Sequence, residues 1–163
     1  MTRAMQDAVT RGIEPAAARR SVLQAGAALG LAFVLRPARA ATSDDLRAAV
    51  TAFARGAAVR EGRVLLDVAP LVENGNAVPV TVSATSPMTA ADHVVALAIF
   101  NERNPQRDVV VFRFGPRAGR AQVATRIRLA TSQQLVAVAQ MNDGSFWSHT
   151  VDVIVTLAAC VEP

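Results

Sequence analysis

Between residues 64 and 157 apolar side chains recur at every second position in short runs, and that period dictates strands. Val78, Val80 and Val82 alternate with Pro79, Thr81 and Ser83. Val151, Val153, Val155 and Leu157 alternate with Asp152, Ile154 and Thr156, which places the first four on one face. Further runs lie at 64–69, 93–100, 109–114, 121–129 and 135–141. Turn signals separate the runs: Glu73-Asn74-Gly75-Asn76, Ser86-Pro87, Asn104-Pro105, Gly115-Pro116 and Asn142-Asp143-Gly144-Ser145. Asp-Gly accepts positive φ, so the last of these is a hairpin. About seven short strands at this spacing predict a mainly β, immunoglobulin-like antiparallel sandwich. One helix precedes it. Leu46, Ala49, Val50, Phe53 and Ala54 fall at helical spacing, with Ser43 or Asp44 to cap the start and Gly56 to stop it. A short polar stretch then runs to Gly62. No internal repeat or low-complexity linker interrupts the pattern.

The charge is distributed in a way that excludes one large class of function. All 17 basic side chains are arginine, against 13 acids. Residues 1–40 hold six of the arginines with only Asp7 and Glu14, whereas residues 41–163 hold eleven arginines and eleven acids. A nucleic-acid-binding domain needs clustered cations in its folded part. Here the folded part is neutral. The series Arg113, Arg117, Arg120, Arg126, Arg128 therefore reads as a solvated sheet face or one side of a protein interface.

The basic first quarter has the form of an export signal. Arg19 and Arg20 precede a weakly apolar run at 22–35 that carries Gly26 and Gly30, and Ala38-Arg39-Ala40 supplies a small-x-small exit. The paired arginines point to the twin-arginine route. Length favours cleavage over a membrane anchor, since the 14 residues fall short of the roughly 20 that span a bilayer. The expected organisation is a twin-arginine signal peptide at 1–40, a helix and linker at 41–62, and a sandwich with a cysteine arm at 63–163. The expected location is the periplasm, with no membrane attachment after cleavage.

Enzyme constellations are thin. Two histidines, His93 and His149, are present, but there is no H-E-x-x-H, no phosphate-cradling glycine loop and no G-x-S-x-G. A blue-copper sandwich would need a histidine and a methionine just after the cysteine. Only Val161, Glu162 and Pro163 follow Cys160, so no copper loop is expected, nor any other metal site. Each histidine reads as a partly buried, hydrogen-bonded side chain.

Cys160 is the single thiol, which excludes an intramolecular disulfide and a multi-cysteine zinc site. A free cysteine is often a small buried hydrophobe. Its place beyond the last strand points instead to exposure, and an unpaired thiol in an oxidising compartment is a liability unless it is used. Three residues beyond Leu157 span roughly 10 Å if extended, which suits a thiol handed to another protein's active site. A secreted interaction module, joined through Cys160 in an intermolecular disulfide, is the competing reading.

Several segments resemble one family. They are Glu73-Asn74-Gly75-Asn76-Ala77-Val78-Pro79-Val80, Ser86-Pro87-Met88-Thr89, Gly119-Arg120-Ala121-Gln122-Val123, Thr125-Arg126-Ile127-Arg128-Leu129-Ala130 and Gln140-Met141-Asn142-Asp143-Gly144-Ser145. Together they are similar to SoxY, the sulfur-carrier subunit of the periplasmic thiosulfate-oxidising Sox system, over roughly residues 64–160. The resemblance implies an immunoglobulin-like sandwich that forms a heterodimer with a second sandwich protein, SoxZ. It implies that Cys160 covalently carries sulfur intermediates between enzymes while the carrier catalyses nothing and holds no resident cofactor. The implied partners are a haem enzyme (SoxAX) that attaches thiosulfate oxidatively, a dimanganese hydrolase (SoxB) that releases sulfate, and a sulfane dehydrogenase. One departure stands out. The family's usual ending is Gly-Gly-Cys-Gly-Gly, whereas here it is Ala158-Ala159-Cys160-Val161-Glu162-Pro163. This arm is bulkier and stiffer than a glycine arm, and Glu162 sets an anion beside the thiol, which disfavours its thiolate. A SoxYZ-like carrier serving a pathway other than thiosulfate oxidation fits the same departure.

Overall fold

Apolar residues at helical spacing give way to period-two runs after Gly56, and the backbone changes with them. The computed structural model describes residues 43–159. The leader with Arg19 and Arg20, and Cys160, Val161, Glu162 and Pro163, lie outside the described residues. Helix α1 spans Asp44–Phe53, followed by β1 (Val59–Glu61), β2 (Val64–Asp67), β3 (Leu71–Val72), β4 (Val78–Ala84), β5 (Val94–Asn101), β6 (Asp108–Arg113), β7 (Ala121–Ile127), β8 (Gln133–Met141) and β9 (Phe146–Val155). Ser43 caps α1, its hydroxyl accepting the Leu46 N–H at 3.4 Å. Gly56, at φ +79°, carries the chain out of the helix.

The strands form two sheets, one in the order β1-β9-β8-β5-β6 with β3 also on β9, the other in the order β2-β4-β7. Their inner faces meet in a core of Leu66, Val80, Val82, Leu97, Ile99, Leu135, Ala137 and Val153, all buried. The sandwich was expected from periodicity, but two features differ. There are nine strands among the described residues rather than about seven, because β1 and β3 are too short to show a period. The sheets are also not purely antiparallel, since β1 and β3 run parallel to β9. The segment 59–72 weaves between sheets, pairing first with β9, then through β2 with β4, then with β9 again.

Both faces of the middle strands are covered. Along β5 and β8 nearly every residue is buried, because α1 lies on the outer side of that sheet. There Leu46 packs with Ala98, Phe100, Val136, Val138 and Phe146. Phe53 meets Phe100 and Phe146 edge-on at 5.7 and 6.0 Å between ring centroids. Arg107 ties the β5–β6 connection to the helix through Asp45 at 3.0 Å. Two-sided burial is why 93–100 and 135–141 read as unbroken apolar runs.

The last strand also differs from its sequence reading. It begins at Phe146, directly after the turn, and ends at Val155. Leu157 does not share the inner face of Val151, Val153 and Val155; it is 61% exposed. Past Val155 the chain leaves β8 and follows the 72–75 segment, so the alternation lapses. In the turn before β9, Gly144 sits at φ +82°. Hydrogen bonds from the Ser145 side chain, and then its backbone, hold the Asp143 carboxyl below its usual range.

Candidate functional site

The residues that lead to Cys160 are fixed by backbone hydrogen bonds, and these define the site. Thr156 and Leu157 donate N–H bonds to the Val72 and Glu73 carbonyls at 3.0 and 3.2 Å, extending the parallel β3–β9 pairing. A ring of three bonds follows. The Gly75 N–H donates to the Leu157 carbonyl at 2.8 Å, the Leu129 N–H donates to the Gly75 carbonyl at 2.8 Å, and the Ala159 N–H donates to the Leu129 carbonyl at 3.1 Å. Leu129 and Ala159 are buried, whereas Ala158 between the anchors is exposed.

Gly75 is required by this arrangement. A Cβ built on it would lie 2.3 Å from the Leu129 carbonyl oxygen, 3.0 Å from the Ala159 nitrogen and 3.2 Å from a Val155 methyl. The adjoining Asn74 side chain closes the turn by accepting the Asn76 N–H at 2.9 Å. From the other side, Asn104 holds the residues flanking Leu129. Its amide donates to the Arg128 carbonyl at 2.8 Å, and its oxygen accepts the Ala130 N–H at 3.0 Å. Sequence reasoning assigned Glu73-Asn74-Gly75-Asn76 and Asn104-Pro105 only as turns. The family-resembling segments 73–80 and 125–130 contain both Gly75 and Leu129, but no local pattern reveals that the two meet across some fifty residues.

Of the arm residues singled out by sequence, Ala159 is thus anchored rather than free, while Cys160, Val161, Glu162 and Pro163 lie outside the described residues. Arg113, Arg117, Arg120, Arg126 and Arg128 are all exposed, as a solvated series requires, but they do not share one sheet face: Arg113 lies on β6, Arg126 on β7 of the other sheet, and the rest in the segments beside these strands. Both histidines are structural. His149 accepts the Leu66 N–H on Nδ1 at 3.0 Å. His93 donates its backbone N–H to Asn142, and its Nδ1 lies 3.0 Å from the Thr89 carbonyl. Among the described residues no three His, Cys, Asp or Glu side chains are grouped to hold a metal ion. Nor is any helix among them long and apolar enough to cross a membrane.

The family model for the sulfur oxidation protein SoxY matches residues 47–160. The chain belongs to the SoxY family. The matched region takes in α1 from its second turn, both sheets and the hydrogen-bonded ring, and it stops on Cys160. Among solved structures the chain is similar to the sulfur carrier protein SoxY from Chlorobium limicola f thiosulfatophilum. That likeness has 26% identity and a TM-score of 0.56, and covers 69% of this chain and 99% of that one. It is also similar to two forms of superoxide reductase (neelaredoxin) from Ignicoccus hospitalis. One has 19% identity and a TM-score of 0.52, covering 59% of this chain and 82% of that one. The other has 18% identity and a TM-score of 0.52, covering 76% and 94%. At those identities the likeness shows the fold alone. No curated protein sequence matches the chain.

Proposed function

We propose that this SoxY-family chain is a sulfur carrier, not an enzyme, and that Cys160 is the atom-bearing residue. One observation carries the reading: the SoxY match runs through to Cys160, the single thiol of the sequence. The solved SoxY of similar fold is itself a sulfur carrier protein.

The chemistry needs one soft nucleophile. The Cys160 thiolate and the terminal sulfur of thiosulfate form an S–S bond, releasing two electrons to a haem enzyme of the SoxAX type and leaving a cysteine S-thiosulfonate. Hydrolysis of the outer S–S bond by a SoxB-type enzyme releases sulfate and leaves a persulfide. A sulfane dehydrogenase then oxidises the persulfide sulfur, and the final hydrolysis restores the thiol. The carrier needs no cofactor, because every redox equivalent leaves on a partner.

The same reading places the carrier in the periplasm, exported by the twin-arginine route through Arg19 and Arg20, and paired with a SoxZ-like sandwich. The edge strands β6 and β7 each pair on one side only among the described residues, and such edges are normally covered. The decisive experiment is genetic. Replacing Cys160 with Ser in a thiosulfate-oxidising host that depends on this carrier abolishes thiosulfate oxidation, with the protein still exported and folded. Undiminished oxidation by Cys160→Ser overturns the proposal.

A further inference from the structure

We propose that Gly75 is a positioning residue for Cys160, acting through the ring Leu157–Gly75–Leu129–Ala159, which fixes the chain up to the residue before the thiol. The inference rests on Cys160 being the carrier cysteine.

Each member of the ring is backbone, so its geometry depends on close approach rather than on side-chain chemistry. Any Cβ at position 75 strikes the Leu129 carbonyl oxygen at 2.3 Å. That oxygen is the acceptor of the Ala159 N–H. A side chain at 75 therefore displaces the acceptor of the Ala159 N–H. Asn104 clamps the peptide units on both sides of Leu129, so the carbonyl cannot turn aside freely. Glycine at 75 is the condition for the ring to close.

The consequence is a short tether. Were the chain free from Leu157 onward, the Cα of Cys160 would sweep roughly 10 Å. With Ala159 held, that Cα stays about 3.8 Å from the Cα of Ala159. Ala159, the residue before the thiol, is held against Leu129, which is itself bonded to Gly75 of the turn 73–76.

Cys160 is the single cysteine, so a methanethiosulfonate nitroxide attached to the purified protein reports this position alone. The wild-type spectrum should contain an immobilised component. Gly75→Ala, which displaces the Leu129 oxygen, and Ala159→Pro, which deletes the donor N–H, should each lose it. Ala159→Gly keeps the N–H and should retain it. Far-UV circular dichroism establishes that the sandwich persists in each variant; if Gly75→Ala does not fold, Ala159→Pro decides. A wild-type label as mobile as that of Ala159→Pro, or a component that survives loss of the ring, overturns the proposal. The measurement is independent of whether Cys160 ever bears sulfur, so its failure is distinguishable from failure of the carrier reading.

Discussion

The Nδ1 of His149 accepts the backbone N–H of Leu66 at 3.0 Å, a side-chain bond that joins β9 of one sheet to β2 of the other. Among the described residues β2 pairs only with β4, so no ladder bond joins it to β9. The accepting Nδ1 carries no proton, so the ring proton sits on Nε2. The histidine, singled out by sequence as a partly buried residue, acts as a latch between the layers.

His149→Ala leaves the Leu66 N–H without its partner in a half-buried setting. The expected loss is about 1–2 kcal/mol, read as a fall in melting temperature of roughly 4 °C per kcal/mol for a domain this size. An unchanged melting temperature contradicts the latch.

The turn before β9 predicts a pH dependence. The folded Asp143 carboxyl is held below its ordinary 3.8, so its contribution to stability is present in full above 3.8 and is lost as pH falls through the lower folded value. Asp143→Asn should therefore melt slightly below wild type at neutral pH, with the gap closing in strong acid. A gap that persists unchanged in acid means that the charge on Asp143 contributes nothing.

The sequence exposed the sandwich because its strands obey one rule over long stretches. Val78, Val80 and Val82 face the core as their alternation requires, and the Asp-Gly hairpin lies where its dipeptide placed it. Period could not show β3: two residues, Leu71 and Val72, carry no alternation, and their pairing with Ile154 and Val155 is set by a distant strand. Leu157 was misplaced for a related reason, since periodicity cannot say where a strand stops being covered. The site was half legible. Cys160 stood out by being alone, whereas the Gly75, Leu129 and Ala159 contacts exist only once turn, strand exit and chain end are brought together.

Export is tested at the leader. Replacing both Arg19 and Arg20 with Lys should block export and leave full-length precursor in the cytoplasm, while the exported wild type should begin at or near Ala41 on mass spectrometry. An exported protein that retains residues 1–40 contradicts the cleaved-signal reading.

The proposed partner is tested by sedimentation, since β6 and β7 each pair on one side only among the described residues. Co-expressed with a SoxZ-like sandwich protein, the chain should sediment as a one-to-one heterodimer. Sedimentation of each protein at its own monomer mass contradicts that pairing.

The carrier claim itself is tested most directly by the intact mass of the protein purified from cells oxidising thiosulfate. Sulfur or thiosulfonate additions should appear on the wild type, vanish on reduction and be absent from Cys160→Ser. A protein recovered under those conditions only as bare thiol or as a disulfide-linked dimer contradicts the claim that Cys160 carries thiosulfate-derived sulfur.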